Sequence, residues 1–476
     1  MDYITAKEVA DKWGISQRRV QVLCTQGKIQ GAKRLGWAWA IPCDVEKPKD
    51  ARTNDEKKRT IWGDSIMNNM LTNENIKKLM LQTAEELERW SPKNNIDIDY
   101  DNDAYQVVDL FCGSGGMSIG FAAAGVLYKK FRLIGGFDIN TDACKSYEKN
   151  FGIPCIQGDV RNLAENDQEY EKFLDKIGYD RKKPTLLIGC APCQGFSPHR
   201  KKNWDEVDER NDLVIAFAKI VKKMKPDCIV MENVPELLSK KYWNYFSTMK
   251  KMIEDEGYIV KQSIYNAAAF GVPQERFRSI IIGMKKRFSL PQYLFDKDQY
   301  RTVRDAIGEL PSISPGEVLD SDEYHKCANH KQSTIDVIKQ VPINGGNRPV
   351  GIGPKSGYAD VYGRLKWDVP SITITGSARN PASGRFVHPE QNRGLTIREA
   401  ACLQSFPKGF IFEGNFESVF MQIGEAVPPL LSGGIATSIL VNLYDETDCS
   451  DEDELLITQP VSNSYSSVIA GIKVRR

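Results

Sequence analysis

Two cysteines in one loop and a glutamate at the end of a later strand are the residues whose types and spacing could carry out chemistry. Cys190 and Cys193 lie in GCAPCQGFS, directly after the apolar run TLLIG. A thiol at a strand end facing a cleft can act as a nucleophile if its thiolate is stabilised nearby. Glu232 lies at the end of another apolar run, CIVMEN. Neighbouring parallel strands would bring its carboxyl beside the Cys193 thiol, which indicates a nucleophile with an acid as its partner.

The Cys-x-x-Cys spacing has two other interpretations. Zinc binding is disfavoured because no second ligand pair follows at a zinc-finger spacing, and we predict no metal site. A thioredoxin-type redox motif would begin a helix, whereas Pro192 and Gly195 favour a loop. The spacing alone leaves the nucleophilic and redox interpretations open.

A glycine-rich turn follows the apolar strand at residues 106–111. Glycines at a strand-to-helix turn let a ligand approach the backbone closely. Asp138 ends the next strand, where a carboxylate can accept hydrogen bonds from ribose hydroxyls, and Asp159 follows a third apolar segment. The glycine spacing differs from that of dinucleotide folds, but a nucleoside-type ligand is allowed. Each aspartate taken singly could instead cap a helix or a turn.

Short apolar runs alternate with helical stretches over residues 105–284, and these are the strands and helices expected to position the site residues. This pattern predicts an α/β fold, a Rossmann-like, doubly wound and mostly parallel sheet with helices on both faces. Residues 285–392 are rich in Pro, Gly, Asn and Ser and predict a smaller irregular domain with strand-like pieces at SITITG and GRFVHP. The pattern of residues 393–443 predicts helices that pack back on the sheet. Residues 444–476 are expected to form an acidic, flexible tail.

The first 45 residues read as a separate unit. Thr5 and Glu8 form a capping box for a helix that ends near Trp13, a second short helix follows, and KIQGAKRLGWAWAIP predicts a hairpin. This unit resembles the MerR/excisionase-like winged helix-turn-helix, with Arg18 and Arg19 placed for DNA contacts. An interaction module without DNA contact is the alternative. Residues 46–104 predict a charged linker followed by a helical segment.

Composition narrows the class of protein. The chain has 476 residues, with 64 Lys and Arg against 63 Asp and Glu, so any nucleic-acid surface must be local. Eleven scattered cysteines indicate reduced thiols. No apolar run approaches the ~18 residues of a membrane span, and the amino terminus lacks the apolar core of a signal peptide. We therefore expect a soluble, cytoplasmic protein with no membrane partner.

Six motifs in order resemble those of the DNA cytosine-5 methyltransferases. PCQGFS and ENV follow DLFCGSGG and precede GVPQERFR, and the resemblance runs from about Val107 to Leu443. It implies transfer of a methyl group from S-adenosylmethionine to C5 of a cytosine flipped out of duplex DNA. It also implies a bacterial restriction-modification or solitary methylation role, with a cognate restriction endonuclease as a functional partner.

The resemblance assigns catalytic roles to Cys193, Glu232, Arg276 and Arg278. In the family the matching cysteine attacks C6 of cytosine, and the glutamate holds N3 and the exocyclic amine. Arg278 would orient the cytosine carbonyl, and Arg276 would make a phosphate or structural contact. The implied cofactor contacts are Phe111, Gly113, Gly115, Gly116, Asp138, Ile139, Asp159, Val160, Pro192 and Leu213.

Three further segments match family blocks. Residues 197–212 match the loop that closes over the flipped base, and residues 393–407 match a block that braces the target-recognition region. Residues 422–429 match the last family block, in which Glu425 stands where many members have asparagine. Base-edge readers would come from Lys326, Asn329, Lys331, Asn344, Asn347 or Arg348. The alternatives are an RNA cytosine-5 methyltransferase and a catalytically silent DNA-binding regulator.

Overall fold

The computed structural model describes residues 3–13, 20–21, 23–24, 29–35, 38–43, 45, 73–92, 98–192, 212–353, 360–444, 453 and 455–462. The chain divides into two compact units, Met1–Asn69 and Met70–Arg476. This division falls inside the segment 46–104, which the sequence predicts to be a linker followed by a helix.

The small unit combines a helix with an antiparallel three-stranded sheet. Strand β1 (Tyr3–Thr5) leads into α1 (Ala6–Trp13), and β2 (Lys33–Leu35) and β3 (Ala38–Pro42) form the predicted hairpin, with the strand order β1-β3-β2. The predicted capping box is confirmed: Thr5 N donates to Glu8 Oε2 at 2.7 Å, and Glu8 N donates to Thr5 Oγ1 at 3.3 Å. Residues 20, 21, 23 and 24 are helical, while Arg18 and Arg19 lie outside the described residues.

The large unit is built on a seven-stranded sheet in the order β6-β5-β4-β7-β8-β10-β9. Pairing from β6 through β8 is parallel, and β10 is antiparallel to both of its neighbours. The mostly parallel sheet expected from the apolar runs is therefore confirmed. The strands are β4 (Tyr105–Leu110), β5 (Phe131–Asp138), β6 (Cys155–Gln157), β7 (Thr185–Gly189), β8 (Cys228–Asn233), β9 (Ile259–Asn266) and β10 (Phe277–Met284).

Helices form two groups, one for each face of this sheet. Val108 and Leu110 of β4 lie in one apolar cluster with Val214 and Phe217. The alternate residue Asp109 therefore points to the other face, where it accepts a hydrogen bond from Ser118. The first group is α2 (Asn73–Glu88), α3 (Ser118–Tyr128) and α13 (Pro429–Tyr444), and the second is α5 (Val160–Glu165), α6 (Asp167–Lys176), α7 (Leu213–Met224) and α8 (Trp243–Glu254). Helix α4 (Thr141–Phe151) packs against β5 and β6.

The segment after the sheet is irregular, as the sequence predicts. It contains α9 (Val303–Ile307), the hairpin of β11 (Val318–Leu319) and β12 (Asp322–Lys326), and α10 (Gln332–Lys339). Instead of the predicted strands, SITITG and GRFVHP form isolated bridges, one at Ser371 and two at Val387. Backbone carbonyls in this region are satisfied by a side chain instead of by a neighbouring strand. The buried Arg364 guanidinium donates to the carbonyls of Ile338, Val341, His388 and Gln391.

The last helices return to the sheet, and part of the tail does so as well. Helices α11 (Ile397–Leu403) and α12 (Phe416–Glu425) precede α13. The prediction of a flexible tail from residue 444 is wrong for residues 455–462, which we call the C-terminal strap. Ile457 N donates to Gln262 O of β9 at 3.0 Å, and Ile457 is buried. The strap therefore satisfies backbone groups of an edge strand.

Among the residues that the structure describes, one helical stretch is apolar enough to cross a membrane by length and composition. It spans Phe416–Tyr444, and 89% of its most apolar window is buried inside the protein. This burial is typical of a core helix.

Candidate active site

Glu232 and Arg278 form a buried ion pair at the carboxyl edge of the sheet. Glu232 lies near the end of β8, and the antiparallel β10 enters the sheet beside it, with Ile280 opposite Glu232. Arg278 Nε lies 2.9 Å from Glu232 Oε1, and both side chains are largely buried. Burial raises the pKa of the Glu232 carboxyl, and the charges of Arg278 and Arg276 oppose this shift. The site can therefore hold a proton on Glu232 at a pH where a surface carboxyl has lost it.

The cysteine loop begins next to this carboxyl. Strands β7 and β8 are parallel neighbours, and Asn233 Nδ2 donates to Ala191 O at 3.1 Å. Cys190 is half-buried, and its pKa is raised well above the usual thiol value, first by burial and then by the charge of Glu232. Cys193, only two residues beyond Ala191, lies outside the described residues together with the rest of 193–211.

Arg276 braces two segments that lie far from it in the sequence. Its guanidinium donates to Ile374 O at 2.9 Å, to Gly424 O at 2.8 Å and to Ala426 O at 3.1 Å. The side chain is 2% exposed. The structure thus places Arg276 among protein carbonyls, in agreement with a structural contact, whereas Arg278 pairs with the Glu232 carboxyl.

The glycine-rich turn and the acidic strand end come together at the neighbouring carboxyl edge. Phe111, directly after β4, has a positive φ of 55°, and Gly113 N donates to Asp138 Oδ2 at 2.8 Å. Space remains open where a Cβ on Gly113 would lie, whereas a Cβ on Gly116 would meet Val427 O at 2.4 Å. Burial raises the pKa of Asp138, and backbone donors oppose this shift. The turn is therefore open on one side and closely packed on the other.

The remaining predicted cofactor residues have different surroundings. Ile139 follows Asp138 and is 66% exposed, whereas Val160 and Leu213 are buried. Asp159 caps α5 by accepting from Arg161 N, and it pairs with the Arg161 guanidinium at 2.6 Å. The helix-cap alternative for Asp159 thus describes its contacts in this structure. Pro192 is half-buried at the end of the described loop, and Gly115 packs closely against Phe151.

Two buried carboxyls near the site were missed in the sequence. Asp109 Oδ2 accepts from Ser118 Oγ at 2.7 Å beneath the glycine-rich turn, and burial raises its pKa well above the usual value. Glu236 lies in the 3-10 helix Pro235–Leu238 after β8, and burial also raises its pKa. Asp109 could have been found because it is the one acidic residue in the apolar run QVVDLF.

In the described part of the chain, no group of three or more His, Cys, Asp or Glu side chains is arranged to hold a metal ion. What the site offers is a carboxyl with a raised pKa, a guanidinium, an adjacent cysteine loop and an open glycine-rich turn with an acidic partner. This set suits proton donation to a polar ring beside a bound nucleoside.

Comparison with known proteins agrees with this chemistry. Residues 105–441 match the family described as C-5 cytosine-specific DNA methylase. The Type II methyltransferase M1.HphI of Haemophilus parahaemolyticus is 36% identical over 70% of this chain and 86% of its own length. The Type II methylase M.HgiDII of Herpetosiphon aurantiacus is 34% identical over 70% of this chain and 94% of its own length.

A solved structure shares the fold. It is a crystal structure of a prophage-encoded DNA modification methyltransferase from E. coli, with a TM-score of 0.57 and 24% identity, and it covers 72% of this chain and 100% of that chain. The family match spans the whole sheet, the Glu232–Arg278 pair and the glycine-rich turn. From these features we conclude that the chain belongs to the C-5 cytosine-specific DNA methylase family and is an S-adenosylmethionine-dependent DNA methyltransferase.

Proposed function

We propose that the protein methylates C5 of a flipped-out cytosine in a specific duplex DNA sequence, through a covalent bond between Cys193 and C6. The observation that carries this proposal is the buried Glu232–Arg278 pair beside the cysteine loop. A neutral Glu232 can donate its proton to N3 while the Cys193 thiolate adds to C6, so the ring gains no full negative charge. The raised pKa of Glu232 supports this role.

Later steps restore the enzyme and the base. Once C5 has received the methyl group, a base removes the C5 proton, the bond between sulfur and C6 breaks, and the double bond between C5 and C6 returns. Arg278 would orient the cytosine carbonyl while it holds Glu232. Arg276 would act indirectly, by fixing the segments that carry Ile374 and Gly424 against the start of β10.

S-adenosylmethionine supplies the electrophilic methyl group when it is bound. The open space at Gly113 fits a ligand that approaches the backbone. Asp138 Oδ2 accepts from Gly113 N and Oδ1 accepts from Asn140 N, and the carboxylate has further lone pairs for ribose hydroxyls. Asp159 and Val160 would contact the adenine. The other proposed contacts are Phe111, Gly115, Gly116, Ile139, Pro192 and Leu213.

The region 285–392 would read the target sequence. Three of the six proposed readers already bond within the protein: the Asn344 side chain accepts from Trp367 N, that of Asn347 accepts from Arg385, and Arg348 donates to Ile352 O. Base contacts would then fall mainly to Lys326, Asn329 and Lys331, of which Asn329 and Lys331 are exposed.

The biological setting follows from the relatives. Both relatives described above are named as Type II enzymes, so we propose a role in bacterial restriction-modification, in the cytoplasm, with a restriction endonuclease as functional partner. The small unit would act as a winged helix-turn-helix, supported by its capped first helix, the helical residues 20, 21, 23 and 24, and the β2–β3 hairpin. It would add DNA contacts to those of the large unit.

The test is transfer of label from methyl-labelled S-adenosylmethionine to unmethylated duplex DNA, beside duplex RNA, with the product mapped at base resolution. We expect label at C5 of cytosines in one short DNA motif. Cys193→Ser should abolish transfer, and Glu232→Gln should slow it by about 100-fold or more. Cys190→Ser is the matched control. Label in RNA alone would contradict the DNA assignment, and full activity of Cys193→Ser would contradict the covalent route.

A further inference from the structure

The C-terminal strap lies beyond the part of the chain that the family shares. The family match ends at residue 441, and the strap comprises residues 455–462. It runs along β9, the edge strand: Ser263 Oγ donates to Leu455 O at 2.6 Å, and Gln262 Nε2 donates to Ile457 O at 2.5 Å. These contacts cover an edge whose backbone and polar side chains would otherwise face water.

The strap then reaches the turn that follows the catalytic glutamate. Val461 N donates to Leu238 O at 2.9 Å, and Lys240 N donates to Val461 O at 3.1 Å, which forms a parallel bridge between Val461 and Ser239. Leu238 ends the 3-10 helix Pro235–Leu238, which begins three residues after Glu232. The strap and the catalytic strand are therefore joined by backbone hydrogen bonds through a short, buried turn.

The same turn is fixed at its other end by the sheet. Ser279 Oγ of β10 lies 3.0 Å from both Asn233 O and Val234 O, and Asn233 Oδ1 accepts from Val234 N. Leu237 and Leu238 are fully buried between these two attachments. Loss of the strap would therefore remove the two backbone bonds, at Leu238 O and Lys240 N, that hold this end of the turn from outside.

Strand register places the strap level with Glu232. Glu232 of β8 is opposite Ile280 of β10, and Ile280 is opposite Ser263 of β9, which donates to the strap at Leu455. The strap thus touches the sheet at the level of the ion pair and touches the turn just beyond it. If the strap served only to cover the edge strand β9, its contact with β9 would be sufficient and its contact with the turn would not be needed.

We propose that the C-terminal strap is a positioning element for the methyl-transfer reaction, and that the backbone bonds of Val461 hold the turn after Glu232 so that the carboxyl stays aligned with the flipped cytosine. This inference rests on the proposed role of Glu232. A displacement of about 1 Å at a reacting group can cost about 100-fold in rate. Val461 touches no substrate in this proposal and acts through the turn.

The test compares three variants of the full chain with the unaltered chain under steady-state conditions. Val461→Pro removes the N–H that bonds Leu238 O, and Val461→Ala keeps it. Ile457→Ala removes apolar packing from the strap but leaves the backbone bonds of Val461 to the turn in place. We expect Val461→Pro to lower kcat by about 10- to 100-fold with KM for S-adenosylmethionine unchanged. Val461→Ala should stay within about twofold of the original rate, which is rescue by the conservative variant.

A stability control separates positioning from edge covering. Ile457→Ala should lower Tm at least as much as Val461→Pro does, yet keep kcat. Hydrogen exchange should show faster exchange at residues 234–240 in Val461→Pro only. Equal kcat in Val461→Pro and Val461→Ala, or a loss of kcat that follows Tm in all variants, would overturn the proposal. Failure of the unaltered chain to methylate DNA would instead refute the proposed function, and the exchange measurement would still report on the turn.

Discussion

Arg276 directly precedes β10 and Arg278 is the second residue of that strand, yet the two side chains have different surroundings. Arg276 donates to three buried carbonyls, and Arg278 pairs with Glu232. We expect Arg276→Ala to lower the free energy of unfolding by about 3 kcal/mol or more, because bonds to charged groups contribute about 1.5–3 kcal/mol each. Urea denaturation measures this effect.

Arg278→Ala is the matched comparison for that variant. It should reduce methyl transfer by about 100-fold or more while its urea midpoint stays closer to that of the unaltered chain, because the buried Glu232 can take up a proton when its partner is lost. If Arg276→Ala unfolds at the same urea concentration as the unaltered chain, the bracing role is wrong.

Cys190 provides a second prediction for a single residue. Its pKa is raised well above the usual thiol value by burial and by the neighbouring Glu232, so the thiolate is scarce at neutral pH. Cys190→Ser should therefore methylate DNA within about twofold of the unaltered rate. A loss as complete as that of Cys193→Ser would favour a redox role for the Cys-x-x-Cys pair.

Among the elements, the segment before α11 shows how buried charge couples stability to pH. Arg393 forms two bonds with Glu399, at 2.8 and 2.7 Å, and His388 lies 3.7 Å from Glu399. Burial lowers the pKa of His388 to about 4, and Glu399 only partly opposes this shift. The native histidine thus stays neutral at pH values where the unfolded chain, with a pKa near 6.5, takes up a proton.

The sign of this effect follows from proton uptake. Between pH ~6.5 and ~4 the unfolded state binds more protons at His388, so stability falls as the pH is lowered through that window, by up to roughly 3 kcal/mol. Chemical denaturation at pH 7 and pH 5 measures the loss. His388→Asn cannot titrate in this range, so it should lose less stability over the same interval. Equal losses in both proteins would rule out His388 as the cause.

Elements with strong local patterns could be predicted, and those that depend on distant partners could not. TLLIG and CIVMEN match β7 and β8 because continuous apolar runs suit buried parallel strands. Strand β9 was missed because its centre, Lys261, Gln262 and Ser263, is polar, and the strap that satisfies Gln262 and Ser263 comes about 190 residues later.

The same distinction applies to the site. Adjacent strand ends predict that Glu232 lies beside the cysteine loop, and the contact between Asn233 and Ala191 joins these two segments. The carbonyl partners of Arg276 come from segments 98 to 150 residues away, so no local pattern distinguishes its surroundings from those of Arg278. Long-range packing therefore sets the difference between the two arginines.

For the whole molecule, the division into two units at residue 69 means that the role of the small unit in DNA binding can be tested separately by deletion. Deletion of residues 1–50 should leave the methylated motif and kcat unchanged, because the site residues all lie in the large unit. If the small unit contacts phosphates, DNA affinity at low salt should fall and its salt dependence should become less steep. Fluorescence anisotropy across a salt series measures both. Unchanged affinity would rule out the DNA-contact role.

The close packing at Gly116 has a consequence for synthesis of the enzyme. Its backbone lies against Val427, and Gly120 of α3 lies against Ser432, so the glycine-rich turn is completed by residues made about 310 positions later. At ~5–20 residues per second, a ribosome needs roughly 15–60 s to supply them. A nascent chain that already carries Cys193 and Glu232 therefore lacks the packing behind its cofactor turn. We therefore expect no methylation until residues 427–432 have been made, and chains terminated before them should be inactive.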